Sequence, residues 1–197
     1  METEIKTAPE AETENNAEPR ISDELNKKLE KLSPYILEGI KDHIDQIPLP
    51  ILEKMADRKP LTREELIRFR IPMRPHQMRE LAVECIYQHL LLGKDIRRCL
   101  FEAMRGSNAV PEYLYQLTIG TISNEEAFRE EIGAHLRKDW SFDRLSLVEQ
   151  AILMMALEEL EVLEQPKAVV INEAVTLAKQ FCDDDSYKLI NGVLDRI

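Results

Sequence analysis

Apolar residues recur along this chain at spacings of three and four, not two. Leu25, Leu29 and Leu32 begin the pattern, and Ile36, Ile40, Ile44 and Ile47 continue it. From Met78 onward it is almost unbroken. Such spacing lines one face of an α-helix, whereas a half-buried strand alternates. An all-α protein is therefore predicted, and only six glycines in 197 residues agree with that.

Seven core helices can be delimited from their stripes and their stop signals. The first carries Leu81, Ala82, Cys85, Ile86 and Leu90 and should stop at Gly93. The second, "DIRRCLFEAMRG", should end near Gly106. Pro111 suits the first turn of the third, which carries Leu114, Leu117 and Ile122. Ser123 with Glu126 reads as a capping box for the fourth, bearing Phe128, Ile132 and Leu136.

A connector, "KDWSFDR", leads to a second such box, Ser146 with Glu149. The fifth helix should turn Val148, Ile152, Met155 and Leu160 inward and end before Pro166. The sixth, from about Ala168 to Cys182, should bury Ile171, Ala174, Val175 and Ala178. The seventh starts near Asp185 or Ser186 and should bury Leu189, Ile190, Val193 and Leu194.

Three segments follow from these patterns. Residues 1–20 are acidic, with Ile5 as their one large aliphatic residue, and are expected to be a disordered tail. Residues 21–73 form a partly helical extension, with caps at Ser22 and Asp23, a break at "PLPILEKMADRKP" and a capping pair at Thr62 and Glu65. Residues 74–197 form the main helical domain.

The formal charge of −11 excludes a generally basic nucleic-acid binder, but charge is uneven. Between Lys54 and Arg79 stand eight basic residues against three acidic ones, an excess of five positive charges. Clustered Lys and Arg can contact phosphates and release counterions, so a local nucleic-acid surface stays open. The run Glu158, Glu159, Glu161, Glu164 reads as a solvated helix face, or as a docking face for a basic partner.

Candidate chemistry is sparse. Cys85, Cys99 and Cys182 have no paired spacing and read as reduced thiols of a cytoplasmic protein. His43, His76, His89 and His135 are scattered, so no metal site is expected. No glycine-rich phosphate loop or nucleophile elbow occurs, so no cofactor and no enzyme activity are expected. No apolar run is long enough for a membrane span. Asp183, Asp184 and Asp185 could suggest a metal or acid–base site, but they suit a helix start better, since an anion there favours the helix dipole.

The final stretch, "PKAVVINEAVTLAKQFCDDDSYKLINGVLDRI", resembles the C-terminal signature of the NusB family, with its INEA and NGVLD blocks in order and at the right spacing. "DRLSLVEQAILMMALEEL" resembles the preceding helix of that family, and "RELAVECIYQ" its first. The similarity runs from about Arg74 to Ile197.

The resemblance implies two small helical bundles packed together. It also implies a transcription antitermination factor that binds boxA-type RNA of ribosomal leaders with the ribosomal protein NusE, within the RNA polymerase antitermination complex. On the RNA side it points to Arg74, His76, Arg79, Asp185, Tyr187, Lys188 and Leu189; on the NusE side, to Tyr87, Glu149, Glu158 and Glu173. Asn191 and Gly192 should serve packing, the glycine by allowing close helix approach.

Three positions depart from the pattern. The arginine run at the head of the first helix is reduced to Arg74 and Arg79, Leu189 replaces an aromatic, and "LMMALEEL" lacks the usual Arg and Tyr. The alternatives are a divergent paralogue that keeps NusE and loses boxA, and the helical module of a ribosomal RNA cytosine methyltransferase fragment. A homodimer is a further expectation from the family.

Overall fold

A computed structural model describes residues 21–197; the tail expected over 1–20 lies outside them. Among the described residues every regular element is helical. Compact units divide the chain after Thr62.

The first unit holds three helices: α1 (Asp23–Leu29), α2 (Pro34–Ile40) and α3 (Leu49–Ala56). Ser22 and Ser33 cap the first two, their hydroxyls accepting from the N–H groups of Leu25 and Ile36. Leu29, Ile36, Ile40, Ile47, Leu52 and Met55 are buried, and α1 packs on α3. The proline-rich stretch expected to break the pattern instead contains α3. Pro48 is its N-cap and Pro50 lies in its first turn, where a missing N–H breaks no intrahelical bond.

The second unit begins with α4 (Arg63–Arg68) and α5 (Pro75–Leu92). Arg63 ties them, its Nη2 lying 2.6 and 2.7 Å from the two Glu84 carboxylate oxygens. Gly93 ends α5 with φ of +62°, as its position predicted. Then come α6 (Ile96–Ala103), α7 (Glu112–Tyr115), a π-helical turn over Gln116–Gly120 and α8 (Thr121–Ser123).

The expected capping box at Ser123 does not form. The Ser123 hydroxyl donates to the Ile119 carbonyl at 2.7 Å, so this residue closes α8, and Asn124 precedes α9 (Glu125–His135). The box at Ser146 and Glu149 does form. The Glu149 N–H donates to the Ser146 hydroxyl, and the Ser146 N–H donates back to the Glu149 carboxylate at 2.8 Å.

That box opens α10 (Leu147–Leu157), in which every side chain from Gln150 to Leu157 is buried. A helix apolar around its whole circumference belongs at the centre. Accordingly α10 packs on α5, α9, α11 (Lys167–Phe181) and α12 (Ser186–Leu194). Helices α5 to α8 gather on one side of it and α9, α11 and α12 on the other, giving two helical groups that share one core element.

In α11 the buried stripe is Val170, Ala174, Leu177 and Ala178. Ile171 and Val175, expected inside, are half-exposed and line an open groove with Lys167 and Asn172. The sequence admits both stripes, and packing against α10 and α12 selects one. In α12, Ile190, Val193 and Leu194 are buried as expected, while Leu189 is half-exposed.

Candidate RNA and partner surface

The residues singled out by sequence fall into two groups. The first gathers around the head of α5. Pro75 occupies the first turn, and the Gln77 side chain accepts from the Arg74 N–H at 2.9 Å, leaving Arg74 exposed. One turn on, Arg79 points inward and is 4% exposed. Its Nε and Nη2 donate to the two carboxylate oxygens of Glu159 at 2.8 and 2.7 Å. Tyr113 OH donates to the same carboxylate, and the Arg79 guanidinium lies 5.7 Å from the Tyr113 ring centre.

Glu173 of α11 completes the cluster. Its Oε2 is 3.5 Å from Arg79 Nη1 and 2.7 Å from His76 Nδ1. His76 faces Glu80 with its other nitrogen at 3.5 Å, and Gln180 donates to that same Glu80 at 2.7 Å. Helices α5 and α11 are thus joined by a polar chain that becomes more exposed outward. At its buried end, desolvation and the hydrogen bond to Glu159 hold the Tyr113 hydroxyl well above its usual range.

This cluster corrects two expectations. Arg79 was assigned to RNA, but its donors are directed into the core, where a planar guanidinium matches a carboxylate fork. The acidic run was read as a solvated face, yet Glu159 is 1% exposed and Glu158 0%. The helix shifts to a π-helical turn over Glu158–Val162, rotating both carboxylates inward. Glu158 therefore presents nothing to a partner. One oxygen accepts from Asn124 Nδ2 at 3.1 Å and the other has no hydrogen-bond partner, so burial pushes its carboxyl above the usual range. It occupies space left by Gly120 of the facing π-helical turn, where an added Cβ would come within 2.2 Å of Glu158 Oε1.

The second group surrounds the start of α12. Asp185 is the N-cap residue and pairs with Lys188 at 2.6 Å. Tyr187 is half-buried with the Lys179 and Lys188 ammonium groups 4.9 and 5.8 Å from its ring centre. The acidic turn thus starts a helix, and among the described residues no group of three His, Cys, Asp or Glu side chains could hold a metal. Glu149 lies close by. The Cys182 thiol is pushed up to about 11, first by burial and then by the charges of Glu149 and Asp183. Tyr87 is half-buried on α5.

Sequence reasoning missed what stands beside Leu189. The connector between α9 and α10 brings Arg137, Trp140 and Arg144 to the α12 surface, where Arg196 joins them. The one legible signal was a lone tryptophan between cationic residues in a segment read as linker.

The NusB family model matches residues 76–197. The chain belongs to the NusB family. The Bacillus cereus (strain B4264) transcription antitermination protein NusB is 35% identical over 127 residues, 64% of this chain and 97% of the relative. The NusB of Lactococcus lactis subsp. lactis (strain IL1403) is 48% identical over 84 residues; there the match spans 43% of this chain and only 44% of the relative.

Among solved structures, T. maritima NusB superposes with a TM-score of 0.58 at 28% identity, covering 64% of this chain and 91% of that one. A crystal structure of antitermination factors NusB and NusE in complex with dsRNA gives 0.55 at 27% identity, covering 63% and 96%. The all-α NusB fold is thereby established for the second unit. Among the described residues no helix is long and apolar enough to cross a membrane.

Proposed function

We propose that this chain is a transcription antitermination factor that binds a boxA-type element of ribosomal leader RNA together with NusE, within the RNA polymerase antitermination complex, and catalyses no reaction. The observation that carries the reading is the match to a curated antitermination protein over 97% of that relative's length. A NusB relative solved with NusE and double-stranded RNA supports both partners. On this reading residues 74–197 carry the two surfaces and residues 21–73 are an added extension. Arg74, Tyr187, Lys188 and Leu189 face RNA beside Asp185 and His76, while Tyr87, Glu149 and the outer edge of Glu173 serve NusE.

One observation favours a second reading, a paralogue that keeps NusE and has lost boxA specificity. With Arg79 buried, Arg74 is the one arginine left exposed at the head of α5. The test is a titration of labelled boxA-type RNA and a scrambled control, with and without NusE, at two salt concentrations. Sequence-dependent binding enhanced by NusE and weakened by salt is expected. NusE binding with equal affinity for both RNAs would replace the first reading by the second, and absence of both partners would defeat both.

A further inference from the structure

A cavity of about 380 Å³ opens between the α9–α10 connector and α12. Its volume lies in the range of small-ligand sites, roughly 300–1,000 Å³. Leu136, Leu189, Val193 and the ring of Trp140 make its apolar walls, and Arg137, Lys188 and Arg196 stand at its rim. Arg144 lies 4.3 Å from the Trp140 ring centre, and its Nη1 donates to the Asp139 carbonyl at 3.0 Å.

The rim is cationic in a strongly acidic chain. Arg137 shares Asp139 at 3.2 Å, and Lys188 shares Asp185 at 2.6 Å. Arg196 donates to the His135 carbonyl, an uncharged acceptor, at 2.8 Å. The three rim cations thus share two carboxylate partners, Asp139 and Asp185, both solvent-exposed.

Gly192 adds an independent observation. It sits in the interior of α12 and also lines the cavity. A glycine there costs about 0.5–1 kcal/mol relative to alanine. Close helix packing, the role expected for it, does not explain it, because a Cβ built on Gly192 meets no atom within 4 Å. The absent side chain keeps the cavity open.

We infer that this cavity is a site for one unstacked base of single-stranded RNA, with the base against Trp140, Leu189 and the Gly192 backbone and the flanking phosphates at Arg137, Lys188 and Arg196. Apolar and aromatic walls accept a base through its π face, and a cationic rim tracks the backbone. Lys188 and Leu189 belong to both this site and the surface around Tyr187, so one strand can run across both. The inference rests on the RNA-binding reading above and extends it to Arg137 and Trp140, which lie outside the family signature.

The chain contains a single tryptophan, so its emission reports on the cavity directly. The full chain is titrated with single-stranded boxA-type RNA, following tryptophan emission and, with a labelled copy, anisotropy. Quenching along the same isotherm as anisotropy is expected. Gly192→Leu, whose side chain enters the open space, should keep the unfolding midpoint and weaken binding about tenfold or more. Arg137→Gln with Arg196→Gln, both at exposed positions, gives a second, milder block, with several-fold weaker binding and a shallower salt dependence.

RNA binding by anisotropy with unchanged tryptophan emission and wild-type affinity in Gly192→Leu would overturn the site and leave the RNA-binding reading intact. Equal quenching by inorganic polyphosphate would overturn the base assignment. Quenching by NusE alone would assign the cavity to the protein partner. No anisotropy change with any RNA, with or without NusE, would remove the RNA-binding reading and this site with it.

Discussion

Arginine does opposite work in two regions of this molecule. At the α5–α10–α11 junction, Arg79 is buried and both arms of its fork are engaged by Glu159, with Tyr113 on the same carboxylate. At the connector and α12, Arg137, Arg144 and Arg196 are exposed and hold weaker, shared partners. A buried charge needs its partner permanently, because the interior offers no water to replace it. An exposed charge exchanges its partner for a phosphate at little cost, because surface pairs contribute little. Burial, and not residue type, therefore separates the structural cation from the one available for binding.

The comparison is broken most severely at Arg79. Arg79→Ala leaves the Glu159 carboxylate buried without its fork, and a loss of about 3–5 kcal/mol in denaturant unfolding is expected. RNA affinity per folded molecule should hold. A large affinity loss with unchanged stability would put Arg79 at the RNA after all.

Glu158 gives an intermediate effect of opposite sign. Its carboxyl titrates above the ordinary glutamate range, so the folded state holds the proton more tightly than the unfolded state. That stabilising contribution is complete below the unfolded value and is lost as pH rises through the folded one. Glu158→Gln should therefore unfold about 1 kcal/mol later than the parent chain at neutral pH and show no advantage in acid. An advantage that does not change with pH would show that the carboxyl is not protonated by burial.

The smallest stability effect is expected at Lys188, whose acidic partner Asp185 is itself exposed. Lys188→Ala should leave the unfolding midpoint within error while lowering RNA affinity and reducing the salt slope by about one ion. It is the mirror image of Arg79→Ala, and equal behaviour of the two variants would erase the distinction between the regions.

Much of this was legible in the residues. Helix periodicity, the stop at Gly93, the capping box at Ser146 and the INEA and NGVLD blocks are local signals, set by backbone geometry within a turn or two or by a family pattern. They determined the all-α class, the order of the helices and the family. The π-helical turn at Glu158–Val162 was not legible, because "LEELEVLE" is an ordinary solvated pattern until one extra residue in the turn swings two carboxylates inward. Nor was the choice of stripe in α11, where Ile171 and Val175 were as apolar as Val170 and Leu177.

The sequence by itself determined that the chain is helical and where most of the core helices start and stop, because those depend on neighbours within a few residues. Only the tertiary structure decided which charges are buried, which glycine leaves space and which cations share a surface. Arg79 lies 80 positions from Glu159, and Arg137 lies 59 from Arg196. Desolvation and contact at such separations are properties of the packed chain, and no local pattern encodes them.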